Sequence, residues 1–170
     1  MSKTINIQVT LDAQGIMRQY PSPSKDQNNP TGIAHSFGYM VATSNTISGS
    51  GTGDLTFSAN VGDVVRFFGV TASNNFENSA LIYGINKFSG TQVFSEFESK
   101  TFTKSGVSPS GRDVLPADIS DQKFWFFEAD VINKGTEGYR VVFSLYSRDD
   151  SGQPVLFGYF QWDPTIQVAG

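Results

Sequence analysis

Polar and apolar positions alternate with a period of two along much of this chain. In "TINIQVTL" (4–11), Ile5, Ile7, Val9 and Leu11 share one face while Asn6, Gln8 and Thr10 share the other. "KFWFFEADVI" (123–132) sets Trp125, Phe127, Ala129 and Val131 against Glu128 and Asp130. "YRVVFSLYS" (139–147) does the same with Tyr139, Val141, Phe143 and Leu145. Successive side chains of a strand point to opposite faces, so these segments read as half-buried strands with one face in a core. Further strands are predicted at 36–43, 54–59, 64–71, 80–88, 92–98 and 154–162. They are separated by turn-forming runs such as "NVGD" (60–63), "SNN" (73–75), "NKGTEG" (133–138) and "RDDSGQP" (148–154).

No stretch of ten or more residues carries a helical period. The best candidate for a helical turn is "PADISDQK" (116–123), where Pro, Asp and Ser resemble helix-start chemistry. About nine or ten short strands with such turns predict an all-β fold, an antiparallel two-sheet β-sandwich of jelly-roll or immunoglobulin-like type. A closed barrel is the alternative. The 170 residues form most economically a single domain, spanning 1–170.

"YPSPSKDQNNPTGIAHS" (20–36) interrupts the pattern. It holds three prolines, two asparagines and the only histidine, and it can be neither helix nor central strand. Long structureless connections are functional loops or linkers. Prolines reduce the entropy lost on ordering the segment, and Asn28 and Asn29 are suited to bonding the local backbone.

Composition then removes several chemistries. There is no cysteine, which excludes disulfides, thiolate metal sites and a cysteine nucleophile. The 12 basic against 16 acidic residues give a net charge of −4, with no basic run, so nucleic acid is not an expected partner. Charged residues are only 16% of the chain, against roughly 25% in an average domain, which leaves a neutral polar exterior that repels its own copies weakly. The N-terminus lacks the apolar core of a signal peptide and no window approaches the ~18 apolar residues of a membrane span. A cytoplasmic protein is expected, with export by a route other than a cleavable leader left open.

Candidate catalytic motifs lack their context. His35 could serve a Ser-His-Asp system, but no G-x-S-x-G elbow is present. "SPSK" (22–25) matches S-x-x-K among prolines, not at a helix start. Zinc is not expected from one histidine and no cysteine. Calcium needs only oxygens, and Asp149, Asp150 and Asp163 flank one strand, although "RDDSGQP" also reads as an ordinary hairpin turn. "GSGTGD" (49–54) precedes a strand, so it presents no helix N-terminus to phosphate. Of the aromatic runs, half of each belongs to the core; Phe124, Phe126 and Trp162 are the candidates for exposure and stacking. His35 has two readings, a pH-sensitive or ligand-contacting group and a plain hydrogen-bonded loop residue.

Three segments carry a resemblance. "YPSPSKDQNNPTGIAHSFGYMV" (20–41), "GDLTFSANVGDVVRFFGVTASNNFENSALIYGI" (53–85) and "YFQWDPTIQV" (159–168) together resemble the AidA/PixA family of bacterial inclusion-body proteins. The resemblance runs over essentially the whole chain. It implies a non-enzymatic β-protein linked to quorum-sensing-regulated expression, host association or stress, and in some members to dense cytoplasmic inclusions. It transfers no catalytic residue and no cofactor. Some inclusion-forming members are rich in methionine; this chain has 3, so methionine storage is not expected. Two functions follow: a protein whose main partner is itself, as homo-oligomer or inclusion, and a lectin-like glycan-binding module, calcium-dependent or not. Candidate ligand-binding residues are Tyr20, Asn29, His35, Trp162 and Asp163. The resemblance places the 20–36 segment beside the strand holding Tyr39 and Met40, as an ordered loop and not a linker, and its prolines and asparagines suit a clamp over one end or edge of the sandwich.

Overall fold

The computed structural model describes residues 2–43, 45–112 and 114–169. Two sheets face each other. The first contains β1 (Thr4–Leu11), β3 (Gly38–Ala42), β6 (Val64–Thr71), β8 (Glu98–Ser108) and β9 (Asp118–Asp130), in the order β3-β1-β6-β9-β8. The second contains β2 (Thr31–Gly32), β4 (Thr46–Ser48), β5 (Leu55–Ser58), β7 (Ser79–Gly90), β10 (Gly135–Arg148), β11 (Pro154–Trp162) and β12 (Thr165–Ala169). Its order is β2-β11-β10-β12-β5-β4, with β7 on the other edge of β10.

The alternating faces meet between the sheets. Ile5, Ile7, Val9, Leu11, Val65 and Phe67 from one side pack on Tyr139, Val141, Phe143, Leu145, Phe160 and Ile166 from the other, all essentially without solvent exposure. This is the sandwich that the period of two predicts, not a barrel. The sheets are mixed, however: β1–β6, β12–β5 and β11–β2 are parallel pairs. Parallel neighbours need long crossovers, and between β1 and β6 the chain supplies one in residues 12–63, which contribute β3 to the first sheet and β2, β4 and β5 to the second.

Four local expectations are corrected. A helix is present, α1 (Ala13–Gln19), capped by the Asp12 carboxylate, which accepts from the Gly15 N–H at 2.9 Å. At seven residues it is too short to display a period, and only the capping Asp signals it. Residues 116–123 are no helical turn; from Asp118 they are strand β9. Residues 92–97 form a loop bearing one isolated bridge, Phe94 to Val131, in place of a strand. Val93 and Phe94 of this loop are buried, and the Glu137 carboxylate, itself inaccessible, accepts their N–H groups (2.6 and 3.2 Å). Burial beside that carboxylate pushes the Tyr139 phenol upward. Finally, β8 occupies 98–108, where no strand is predicted.

Phe126 faces outward but is covered, not exposed. Phe68 and Phe102 lie with ring centroids 5.1 and 5.8 Å away, and the Arg66 guanidinium sits 4.8 Å from its ring. Phe124 is 40% exposed, as expected for an outward position.

Candidate functional site

The 20–36 segment is a strap laid along β11. Its polar groups are tied down one after another. The Tyr159 N–H donates to the Ser24 carbonyl (2.9 Å), and the Ser24 N–H donates to Thr31 Oγ1 (2.9 Å). Lys25 Nζ donates to the carbonyls of Leu156 (3.0 Å) and Phe157 (2.6 Å), so the lysine of "SPSK" is used structurally. The Tyr83 hydroxyl donates to the Gln27 carbonyl (2.9 Å), and the Ile33 N–H to the Gln161 carbonyl (2.9 Å). Where the strap crosses β11, a Cβ on Gly158 would come within 2.4 Å of Pro23, so glycine is needed there for the close approach. Within the strap, the tight turn is made by Asp26, whose carboxylate accepts the Asn28 N–H (2.9 Å), and not by the asparagine side chains.

Tyr20 pins both ends of the strap. Its N–H closes α1 on the Ile16 carbonyl (2.8 Å), and its hydroxyl accepts the Ala34 N–H (3.1 Å). Its ring packs edge-on against Phe37 and Phe160. The residue after Ala34, His35, opens a 3-10 turn (His35–Phe37) that leads into β3. There His35 stands between two carboxylates. Its Nε2 is 3.0 Å from Asp163 Oδ1, and its Nδ1 is 3.8 Å from Asp54 Oδ1. Asp54 is fixed by the Thr165 N–H, 2.7 Å away, and Gly53 lets its loop approach the histidine closely. All three side chains are about half exposed. Among the described residues no hydroxyl hydrogen-bonds to His35, so the cluster has a base and its orienting carboxylates without a nucleophile.

Trp162 precedes Asp163 and is 1% exposed, so it is not the open stacking platform expected at a strand end. Its ring lies over Gly38, where a Cβ would sit 2.8 Å from the indole. Its Nε1–H has no hydrogen-bond partner among the described residues. Trp162 borders a cleft of about 160 Å³ together with Gly32, Ile33, Arg140, Gln161 and Asp163. A second, wider cleft of about 330 Å³ adjoins it through Arg140 and Gln161, and runs under the strap between Asn28, Tyr83 and Asn86. The result is one polar groove along the strap with a guanidinium in its floor. Such a donor-rich surface suits hydroxyl and carboxylate groups.

The structure thus gathers Tyr20, His35, Trp162 and Asp163 at one end of the strap. Asn29 lies apart, on the exposed turn. Asp149 and Asp150 lie at the opposite end of β11 from Asp163. Asp149 Oδ1 already accepts the Ser151 N–H, the Ser151 hydroxyl and the Gln153 N–H, and these bonds hold its carboxyl below the usual range. Among the described residues no three His, Cys, Asp or Glu side chains converge as a metal site. Sequence reasoning missed Arg140 and Gln161. Arg140 lies on β10 and Gln161 on β11, each a polar position between apolar inward neighbours, and that alternation was the available signal.

The described residues form a mixed β-sandwich with a strapped edge and a polar groove beside the strap. Residues 3–168 match the PixA family, described as inclusion body protein, and the chain belongs to that family. The fold is similar to the crystal structure of an inclusion body protein (PixA) from Burkholderia cenocepacia J2315, with a TM-score of 0.87 at 32% identity over 99% of this chain and 97% of that one. A search of curated proteins returns no match. No helix among the described residues is long and apolar enough to cross a membrane.

Proposed function

We propose that this chain is a non-enzymatic protein that works by accumulating and associating with its own copies, as cytoplasmic oligomers or inclusions, in quorum-sensing-linked host association or stress. The observation that carries the reading is the family match together with apolar side chains left open on a weakly charged exterior. Val41, Phe102, Phe124, Val107 and Ile119 are between 40% and 74% exposed. Such surface favours association. Sedimentation velocity over a hundredfold concentration range is the direct test. Concentration-dependent growth of the sedimenting species is expected; a strict monomer throughout would reject the reading. Expression compared in cells with and without their quorum-sensing signal tests the regulatory half.

A second reading, a lectin-like module, is favoured by the strap groove, which Arg140, Gln161 and Asp163 line. A glycan array run with calcium and again with chelator tests it. Binding to a related set of sugars that Arg140→Ala abolishes supports the groove; a blank array in both conditions rejects it.

A further inference from the structure

β8 and β9 pair in register from Glu98–Glu128 out to Ser108–Asp118. β6 borders β9 only at 127–130, through the pairs Phe67–Phe127 to Val64–Asp130. Beyond Phe127, toward Asp118, the two strands leave the sheet as a ribbon with no further strand beside β9. The outer edge of β9 is therefore free from Asp118 to Phe126, and among the described residues no other backbone hydrogen bond reaches it. A free edge is a template for pairing with another chain. At the end of the ribbon, Val107 and Ile119 face each other across the strands and are each 74% exposed.

We infer that this free edge of β9 pairs antiparallel with the same edge of a second copy, about a two-fold axis through Gln122 and perpendicular to the sheet. The inference rests on the self-association reading and names its surface. The centre follows from topology alone. The edge is bounded by β6 on one side and by the end of the strand on the other, and Gln122 is the midpoint of 118–126. A perpendicular two-fold keeps each face of the ribbon on its own side, so positions equally far before and after Gln122 meet across the axis. Asp121 then faces Lys123 of the second copy and Lys123 faces Asp121. Ile119 faces Trp125, covering an exposed side chain with a half-buried one, while Phe124 meets Ser120 and Gln122 meets Gln122.

The neighbouring registers that also preserve the faces are worse. Centring on Asp121 opposes two aspartates, and centring on Lys123 opposes two lysines; like charges directly opposite are destabilising. The free edge of β8 offers no comparable match. Paired about its midpoint, Thr103, it sets Lys104 against Phe102 and Glu98 against Ser108, and its lysines guard that edge.

The test uses full-length chains: wild type, Asp121→Lys, Lys123→Glu and an equimolar mixture of the two variants. Asp121 and Lys123 are exposed, so both variants keep the core. Each reversal turns both ion pairs of the homodimer into like-charge contacts. In the mixed dimer one chain carries lysine at both positions and the other carries a carboxylate at both, so each contact is again between opposite charges. Sedimentation velocity is expected to show dissociation constants raised at least about tenfold for each variant alone. In the mixture association returns to near the wild-type value. Amides of 118–126 in the wild type are expected to slow in hydrogen exchange as concentration rises. If the wild type associates and the reversals do nothing, or the mixture fails to recover, the pairing is overturned while self-association stands. A wild type that stays monomeric overturns both.

Discussion

The strap at 20–36 and the ribbon formed by 102–108 and 118–124 are opposite solutions to the same problem, a stretch of chain outside the shared core. The strap has almost no regular backbone, yet it is anchored by its own side chains and by carbonyls of β11, the Tyr159 N–H and the Tyr83 hydroxyl. The ribbon has regular backbone throughout and is tied to nothing but itself among the described residues. The strap also closes the β11 edge of its sheet, whereas the ribbon opens one. Regular secondary structure is thus a poor guide to which part is secured. The distribution of polar partners decides it, because a backbone group gains little from a bond that water could supply equally well.

The contrast between the two regions is most exposed at Tyr20. Tyr20→Ala removes the hydroxyl that accepts from Ala34 and the ring between Phe37 and Phe160. A loss of about 2–4 kcal/mol is expected, as for a large-to-small change in a packed site, and Tyr20→Phe should cost about 0.5–1.5 kcal/mol for the hydrogen bond alone. Chemical denaturation gives both values. Limited proteolysis adds the structural readout: cleavage within 21–30 should appear in the alanine variant. A strap that stays protease-resistant without Tyr20 would show that the lysine and backbone anchors suffice.

What could be read from the sequence follows the same division. β1, β6, β10 and β11 have one face on the core, so their side chains alternate and their positions were legible; β6 and β11 fall on the predicted bounds, 64–71 and 154–162. The ribbon has solvent on both faces, and "ESKTFTKSGVS" and "DISDQK" therefore carry no alternation to detect. For the same reason, helix-start chemistry at 116–123 was outweighed by pairing with β8. The loop at 92–97 misled in the other direction. Val93 and Phe94 are fully buried, but they are held by the distant Glu137, a contact no local pattern reveals. At the groove, the strap itself announced His35 and Tyr20. Trp162 was legible as important and misjudged as exposed, since only the packing over Gly38 shows where the indole goes.

A smaller effect separates anchoring from decoration within the strap. His35→Ala removes contacts to Asp163 and Asp54 among side chains that are about half exposed. Exposed ion pairs contribute about 0–1 kcal/mol, so the denaturation midpoint should move little and the strap should remain protected from proteolysis. A cost above about 2 kcal/mol would place His35 among the true anchors beside Tyr20.

The smallest effect on stability is expected at the ribbon, with Val107→Thr and Ile119→Thr combined. Both residues are 74% exposed and both replacements keep the β-branched shape that strands favour. Surface changes away from packed features stay within about 0.5 kcal/mol, so unfolding of the isolated chain should be unaltered. The same pair of changes removes Ile119 from its contact with Trp125 of a second copy, so the association constant should fall while the folding free energy does not. Folding and assembly are expected to separate at the ribbon because, among the described residues, its strands pair only with each other. If the double variant instead lost more than about 1 kcal/mol of folding stability, the ribbon tip would have to be packed on its own body. The contrast between a secured strap and a free ribbon would then fall.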